Sequence, residues 1–278
     1  MRRTVLLLAT MALAILLVGG VAQAIIKPAI INGEPDKGPN AHPYVGALVT
    51  KDEGQLLTFC SGTLISPTVF LTAGHCTEGV KGKVYPKDSP TYVTFDPDFE
   101  PGSSELIKGT PHTHPKFCFP IRPINDPPCT PRPPGFPSYF PRYDVGVVVL
   151  DEPVRMDTYG ALPHAGLVDT LKKGQRFTAV GYGVRGFDLG GERYRATVKL
   201  LNATPPPVGA MFLKTTGFRG IRRGGEGTCS GDSGGPLFLP DQETIVGVTS
   251  FANNPLCWGP GYYQRVDLPQ VLKWVRSF

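Results

Sequence analysis

Hydrophobic residues recur along most of the chain in short runs that Gly, Pro, Asp and Asn interrupt. The runs have the length of β-strands and contain many β-branched residues, which indicates strands rather than helices. The clearest runs are 44–49, 63–65, 69–73, 145–150, 177–180, 236–239 and 244–251. Strands repeated along 278 residues predict an all-β sandwich or barrel fold.

The spacing of apolar residues changes at the C-terminus. Val271, Trp274, Val275 and Phe278 are spaced i, i+3, i+4 and i+7, which places them on one face of a helix. Pro269 falls near the first turn of that helix, where a missing N–H is tolerated. We expect a short C-terminal helix that docks on a barrel.

The N-terminus has the three parts of a secretory signal peptide. Arg2 and Arg3 precede an apolar stretch at 5–18, and an A-x-A cleavage pattern follows at 22–24. Residues 1–24 are therefore predicted to be a signal peptide. The alternative is an uncleaved anchor, because the apolar stretch could nearly span a bilayer. Residues 25–29 then form a short propeptide, and a new start follows at Ile30.

A proline-rich segment runs from Pro111 to Pro141, where 11 of 31 residues are proline. Such a segment is excluded from a helix and from a central strand. Cys118 and Cys129 both lie within it, which favours a surface loop cross-linked to itself. The alternative is an unpinned loop whose cysteines pair elsewhere.

Composition narrows the function classes. Apolar residues are 41% and charged residues 18%, so wholesale disorder is excluded. The net charge of +5 is small, and no basic stripe interleaved with aromatic residues predicts nucleic-acid binding. Six cysteines form an even set that suits an oxidising compartment: Cys60, Cys76, Cys118, Cys129, Cys229 and Cys257. A metal site at His112, His114 and Cys118 is the alternative for one of them; we expect none.

The most informative stretch is 231–236, Gly-Asp-Ser-Gly-Gly-Pro. A serine nucleophile needs a base and donors for an oxyanion, and neighbouring glycines let the backbone supply those donors. Taken alone, the stretch could also be a glycine-rich turn. His75 ends an apolar run, and Asp144 begins another, where a buried carboxylate needs a partner such as an imidazole. The order His, Asp, Ser is one known order of a serine triad.

The chain from Ile30 onward resembles secreted serine proteases of the chymotrypsin/trypsin family. The matching segments occur in the family's order: IING at 30–33, HPY at 42–44, CSGTLI at 60–65, LTAGHC at 71–76, YDVGVVVL at 143–150, GDSGGPL at 231–237 and YYQRV at 262–266. The resemblance implies two six-stranded antiparallel β-barrels with the site between them, divided at roughly 30–155 and 156–278. It also implies disulfides Cys60–Cys76 and Cys229–Cys257, which leaves Cys118–Cys129.

The resemblance further implies roles for individual residues. His75, Asp144 and Ser233 would form the catalytic triad, and the N–H groups of Gly231 and Ser233 would form the oxyanion hole. Asp232 would pair with the ammonium that a cut before Ile30 releases. No basic residue precedes that cut, since residue 29 is Ala, so the alternative is that Asp232 is satisfied otherwise.

The substrate pocket is identified by matching positions. Its predicted residues are Gly227, Thr228, Ser250, Phe251, Ala252 and Gly261. Gly227 stands at the pocket base and offers no charge, which predicts a preference for large apolar residues before the cut. The alternative is that Glu226 turns inward and favours a basic residue.

The sequence therefore predicts a secreted, monomeric serine endopeptidase acting on proteins or peptides, without cofactor, metal, nucleic acid or lasting membrane association. Two rivals are a catalytically inactive homologue that acts as a binding module and a serine esterase. The inactive homologue usually lacks a triad residue, and the esterase elbow G-x-S-x-G leads into a helix. Here all three triad residues are present, and Pro236 with an apolar run follows the serine.

Overall fold

The computed structural model describes residues 30–39, 41–79, 89–118, 141–183, 191–205, 209–220, 223–252, 254 and 256–278. The predicted signal peptide, the propeptide and Cys129 lie outside these ranges. Within them, no helix has the length and hydrophobicity that a membrane crossing requires. The described chain forms two antiparallel β-barrels and a few short helices.

A two-residue strand β1 (Glu34–Pro35) precedes the first barrel. That barrel closes in the order β2-β3-β4-β7-β6-β5. Its strands are β2 (Val45–Asp52), β3 (Gln55–Ser66), β4 (Val69–Thr72), β5 (Tyr92–Thr94), β6 (Ile107–Thr113) and β7 (Gly146–Leu150). The apolar run at 63–65 proved to be the end of the twelve-residue strand β3.

The second barrel also has six strands. They are β8 (Arg176–Gly181), β9 (Tyr194–Asn202), β10 (Phe212–Thr215), β11 (Pro236–Phe238), β12 (Ile245–Ala252) and β13 (Gly261–Arg265). The order β9-β10-β13-β12-β11-β8 closes through pairing of β8 with β9, and β1 pairs with β9 from outside. Two six-stranded antiparallel barrels confirm the predicted fold.

A continuous apolar core joins the first barrel, the junction and the C-terminal helix. Helix α1 (Gly74–Glu78) follows β4, and helix α2 (Pro269–Val275) begins with its proline at the first turn. Val271 and Val275 of α2 are buried in the same cluster as Phe70 and Val147 of the first barrel. The predicted docking of the helix is confirmed, although Phe278 lies beyond the helix end and is 42% exposed. Two 3-10 helices, Leu167–Thr170 and Gly209–Met211, lie in the second half.

One part of the prediction for the proline-rich segment was wrong. Residues 111–113 belong to β6, a strand of the closed barrel, and Pro111 pairs with Val148 of β7. On its other edge, β6 pairs with β5 only through Ile107 and Lys108. At Pro111, the edge of β6 that faces away from β7 has no partner among the described strands, so no backbone N–H is needed on that side. A strand tolerates proline at such a position. Residues 119–140 lie outside the described residues.

A buried ionic cluster ties the two barrels together. Asp36 accepts hydrogen bonds from the backbone N–H of His42 (2.9 Å) and from Nε of Arg193 (2.9 Å), and its Oδ1 lies 2.8 Å from His42 Nδ1. Arg193 also donates to the carbonyl of Val45 in β2. These groups are buried and mutually satisfied, so the histidine in the HPY motif serves the packing of the barrels.

Two disulfides connect described cysteines. Cys60 in β3 is joined to Cys76 in α1, and Cys229 is joined to Cys257. The first bond fastens the segment that carries His75, and the second joins the segment before Ser233 to the segment after β12. Cys118 is also disulfide-bonded. Because Cys129 lies outside the described residues, the Cys118–Cys129 bond stays a prediction.

Peptide mapping under non-reducing conditions should yield Cys118 linked to Cys129, alongside the other two bonds. Closing a short loop of this kind stabilises a fold by about 3 kcal/mol in the chain-entropy account, so the double variant Cys118→Ser, Cys129→Ser should lower the free energy of unfolding by about that amount. A peptide that joins Cys118 to any other cysteine would contradict the self-contained loop.

Candidate active site

His75 and Asp144 meet where two neighbouring strands of the first barrel end. Strands β4 and β7 pair antiparallel, with Thr72 opposite Gly146, so the end of β4 lies beside the start of β7. The backbone N–H of His75 donates to Asp144 Oδ1 at 2.8 Å, and Nδ1 lies 2.9 Å from Oδ2. An ionised carboxylate only accepts hydrogen bonds, so in the neutral ring Nδ1 carries the proton and Nε2 is the unprotonated nitrogen.

The surroundings of His75 adjust its basicity. Burial disfavours the charged ring and by itself lowers the pKa of His75, but the charge and hydrogen bond of Asp144 outweigh that effect. The pKa of His75 is therefore raised above its ordinary value. The ring remains 23% exposed, so a substrate can reach it.

Asp144 is fully buried at the junction of the barrels and makes two further hydrogen bonds with the second barrel, one as acceptor and one as donor. Ser250 Oγ in β12 donates to Oδ2 at 2.5 Å. The Asp144 backbone N–H donates to Gln264 Oε1 in β13 at 3.0 Å. The sequence predicts Ser250 only as a pocket residue and shows Gln264 only as part of the YYQRV segment at 262–266. Their hydrogen bonds to Asp144 form only when the two barrels pack together, so a local sequence pattern does not predict them.

Ser233 lies in the loop between Cys229 and β11, packed against the histidine segment. The carbonyl O of Ser233 accepts from the backbone N–H of Ser61 at 2.7 Å. It also lies 3.7 Å from Sγ of Cys76, the residue that follows His75. Gly234 has a φ of 81°, and a Cβ there would lie 2.1 Å from Oγ1 of Thr72. Only glycine allows so close an approach of this loop to β4.

Asp232, the neighbour of Ser233, is a second fully buried carboxylate. It accepts hydrogen bonds from the backbone N–H groups of Gly183 and Cys229, each at 2.8 Å. Burial raises the pKa of Asp232 to about 7, although both hydrogen bonds act in the opposite direction. Among described residues, no cation lies within ion-pair distance of it in the uncut chain.

Ile30, the predicted new terminus, is fully buried with a φ of 25°. The next residue, Ile31, exchanges backbone hydrogen bonds with Gly227 at 2.8 and 3.2 Å. The segment after the predicted cut therefore lies directly against the predicted pocket base. No hydrogen bond between Ile30 and Asp232 is present in the described part of the uncut chain, so their pairing stays a prediction.

A cavity of about 190 Å³ opens beside Ser233. Four predicted pocket residues line it, Thr228, Ser250, Phe251 and Ala252, together with Cys229, Ser230, Ser233, Thr249, Asn254 and Cys257. None of these described lining residues is acidic. The other two predicted pocket residues, Gly227 and Gly261, are not among the lining residues. Both are closely packed: a Cβ on Gly227 would lie 2.8 Å from the backbone N of Phe218, and one on Gly261 would lie 3.2 Å from the ring of Tyr263.

Glu226 takes no part in this wall. Its Oε2 accepts from the backbone N–H of Thr197 in β9 at 2.6 Å, and it lines a different cavity of about 690 Å³. That larger cavity is lined mainly by residues of the N-terminal segment and of β8 and β9, and no triad residue is among its described lining. Its charged groups already have partners, because Arg195 pairs with Glu34 at 2.8 Å. This geometry argues against an inward-turning Glu226.

The comparison with protein-family models gives a match to the model described as Trypsin, over residues 30–100 and 132–275. These stretches comprise well over half of the chain. The chain belongs to the trypsin family. Membership of this family makes the protein a serine endopeptidase, an enzyme class that acts on proteins and peptides.

Individual relatives of this trypsin-family protein are distant. It is 28% identical to a trypsin of Saccharopolyspora erythraea, over 85% of this chain and 93% of that protein. It is 25% identical to glucanase inhibitor protein 3 of Phytophthora infestans, over 79% of this chain and 77% of that protein. A solved structure of HL collagenase matches with a TM-score of 0.63 at 19% identity, covering 89% of this chain and 97% of that one, which shows the shared fold.

The trypsin-family site also rests on a cluster that the sequence did not predict. Tyr143, directly before Asp144, has a φ of 48°, an uncommon conformation for a bulky residue. Its ring stacks on His114 with centroids 4.8 Å apart, and its hydroxyl donates to Gln270 Oε1 of α2 at 2.9 Å. Trp274 of α2 packs edge-on against His114. The C-terminal helix therefore holds the turn that presents Asp144.

One group of side chains in this trypsin-family site has the spacing of metal ligands. Atoms of Cys60, His75 and Cys76 lie within 4.8 Å of one another. Both sulfur atoms are in the Cys60–Cys76 disulfide, so neither can act as a thiolate ligand. The alternative metal site at His112, His114 and Cys118 lacks a free thiolate, because Cys118 is in a disulfide. The ring of His114 packs against Tyr143 and Trp274.

The buried Asp232 predicts an unusual pH dependence of the uncut chain. Its folded pKa of about 7 exceeds the unfolded value of about 4, so its contribution to stability is complete below pH 4 and is lost as pH rises to 7. In uncut Ser233→Ala protein, the free energy of unfolding should fall across this range, and Asp232→Asn should remove that fall. Denaturant titrations at several pH values measure it.

The control for this experiment is Asp151→Asn, which changes an exposed carboxylate of the same chain. It should leave the pH dependence as it is. An Asp232→Asn profile that is equal to the parent profile would contradict the assignment of the effect to Asp232.

Proposed function

We propose that the protein cleaves peptide bonds by a Ser-His-Asp mechanism in which Ser233 is the nucleophile. Ser233 Oγ attacks the peptide carbonyl, and its proton passes to Nε2 of His75, which returns it to the leaving amine. Asp144 holds the imidazole with Nδ1–H directed at its carboxylate and stabilises the imidazolium. Water then attacks the acyl-enzyme with His75 again as base, and Ser233 is regenerated.

The developing oxyanion needs donors that are fixed in advance. The N–H groups of Gly231 and Ser233 are the proposed donors, and in enzymes of this kind one such donor is worth about 3–4 kcal/mol of transition-state stabilisation. Gly231 has a φ of 88°, a conformation that favours glycine. The glycines on both sides of Ser233 therefore serve the backbone geometry of the proposed hole.

The observation that carries this proposal is the paired contact of His75 with Asp144. Both the backbone N–H and Nδ1 of His75 bond to the buried carboxylate, so Nε2 is the ring nitrogen that can act as the base. An esterase is less well supported, because β11 rather than a helix follows Ser233. Fluorophosphonate labelling of Ser233, followed by assays on matched peptide and ester substrates, tests the assignment.

An inactive homologue that works as a binding module is the second candidate. It is favoured by one relative, glucanase inhibitor protein 3, whose name describes an inhibitor. Against it stands the presence here of all three triad residues together with the two glycines after Ser233. Failure of Ser233 to react with a fluorophosphonate in correctly folded, cut protein would favour the second candidate.

We further propose secretion and activation by a single cut. The two disulfides between described cysteines suit an oxidising compartment. Removal of the signal peptide 1–24 and the propeptide 25–29 would leave Ile30 as the terminus, close to the pocket base through Ile31 and Gly227. Its ammonium would neutralise Asp232, whose carboxylate has no cationic partner among the described residues.

Ser233→Ala and His75→Ala should each lower kcat by several orders of magnitude without unfolding the protein, because triad residues act as a unit. Asp144→Asn should lower kcat about 10⁴-fold, since it no longer holds the productive tautomer. Steady-state kinetics on a peptide substrate measure these changes, and circular dichroism checks folding. Hydrolysis near the parent rate by either alanine variant would contradict the triad.

The specificity prediction follows from the cavity wall. A Lys or Arg side chain would be buried there without an acidic partner, whereas a large apolar side chain gains about 1.5–3 kcal/mol when fully buried. We expect kcat/KM to favour Leu, Met, Phe or Tyr over Arg or Lys before the cut. The methyl group of Ala252 narrows the cavity, so the aromatic residues should be poorer than Leu and Met.

Matched peptides that differ only at that residue measure the preference. Ala252→Gly is the matched variant, and it should improve Phe and Tyr relative to Leu. Faster cleavage after Arg or Lys than after Leu would overturn this assignment of the pocket.

Maturation gives a prediction that terminal sequencing can check. The fully active protein should begin at Ile30, since an ammonium there removes the penalty of burying Asp232 unpaired, which is several kcal/mol. Protein that begins at Ile25 should have little activity until a cut after residue 29 is made. Full activity of the longer form would contradict this activation route.

A further inference from the structure

Ser61 is a fully buried serine of β3 whose polar groups all meet partners at the barrel junction. Its backbone N–H donates to the carbonyl of Ser233 at 2.7 Å, and its hydroxyl donates to the carbonyl of Gly231 at 2.9 Å. The same hydroxyl oxygen accepts from the backbone N–H of Tyr182 at 2.8 Å. A single residue of the first barrel therefore contacts both ends of the 231–233 segment.

We propose that Ser61 is a positioning residue for the oxyanion hole. The inference rests on the proposed function, in which the N–H groups of Gly231 and Ser233 stabilise the oxyanion. Ser61 bonds to the carbonyl groups of these same two residues. It does not touch the reacting atoms itself, and it acts through the backbone that carries the two donors.

The hydroxyl is directed by its own partners. A serine hydroxyl has one proton. The Tyr182 N–H can only donate and the Gly231 carbonyl can only accept, so the proton is directed to the carbonyl. Gly231 has a φ of 88° and no side chain to restrict rotation, so its peptide groups need external support. The Gly231 carbonyl belongs to the peptide group between Gly231 and Asp232, which lies between the two peptide groups that carry the proposed N–H donors. With this middle group held, displacement of the two donors relative to each other is opposed.

The Ser61 hydroxyl also couples the hole to Asp232. Tyr182 precedes Gly183, whose N–H donates to Asp232 Oδ1 at 2.8 Å. Thr72 Oγ1 in β4 donates to the Ser61 carbonyl at 2.7 Å, so Ser61 is itself held by a neighbouring strand of the first barrel. Loss of the Ser61 hydroxyl leaves the Gly231 carbonyl and the Tyr182 N–H without this partner, and both belong to segments next to the nucleophile.

The test compares Ser61→Ala with Thr50→Val in fully cut protein. Thr50 is equally buried in the first barrel, and its hydroxyl donates to the carbonyl of Pro90 at 2.9 Å. Both variants therefore delete one buried hydroxyl, which makes two hydrogen bonds in Ser61 and one in Thr50, but only Ser61 contacts the serine loop. Thermal unfolding measures the shared structural effect. Ser61→Gly is the second variant in case alanine impairs folding, because it removes the same oxygen and adds no atoms.

The decisive readout is stabilisation of the transition state. We expect Ser61→Ala to lower kcat about 10- to 100-fold, a fraction of the loss that follows removal of an oxyanion donor, with KM changed less than about threefold. A peptide boronic acid, whose adduct with Ser233 places an oxygen in the hole, should bind more weakly by a similar factor. Thr50→Val should leave both quantities within about twofold of the parent.

The outcomes separate this inference from the proposed function. If the parent protein fails to react with a fluorophosphonate and to hydrolyse peptides, the proposed function fails and the inference fails with it. If the parent is active and Ser61→Ala retains its kcat and its boronic acid affinity, only the inference is overturned. Equal losses in Ser61→Ala and Thr50→Val would also overturn it, because they would assign the effect to stability alone.

Discussion

The buried carboxylate of Asp144 is the constraint on which the site depends. A charge without water must be matched by donors, and here the donors come from different parts of the molecule. His75 supplies two from the helix after β4, and Ser250 supplies one from the second barrel. Because the donors belong to both barrels, Asp144 is satisfied only when the barrels are correctly packed. Its electrostatic need therefore couples the fold of the junction to the orientation of the imidazole.

Asp232 is a second buried carboxylate, but its partners do not fully compensate for the cost of burying its charge. Two backbone N–H groups reach it, but in the described part of the uncut chain no cation does, and burial raises the pKa of Asp232 to about 7. Asp144 is thus matched within the folded chain, while Asp232 is only partly matched. This difference makes Asp232 sensitive to a new positive charge, which is the physical basis of the activation route proposed for Ile30.

The backbone around Ser233 obtains its geometry from the first barrel rather than from its own sequence. Gly231 and Gly234 allow the left-handed turns, but freedom to adopt a turn does not hold it. Ser61 bonds to carbonyls on both sides of Asp232, and the close approach of Gly234 to Thr72 presses the loop onto β4. The glycine-rich stretch and a serine in β3 therefore act together, and only the serine could not be identified as a site residue from the sequence.

The sequence by itself determined the all-β class, the C-terminal helix and, through the family resemblance, the barrels and the candidate triad. Short apolar runs, helical spacing at 271–278 and short motifs are local signals, and local physics suffices to interpret them. The sequence did not reveal that Pro111 belongs to a barrel strand. Only the pairing of β6 shows that, among the described strands, it has no partner at Pro111 on the side away from β7, where a missing N–H is tolerated. The sequence also could not assign Gln264, Tyr143, Gln270 or Ser61 to the site. Each of these acts through a hydrogen bond to a residue distant in sequence or in another element, and such contacts exist only after the barrels and the helix have packed.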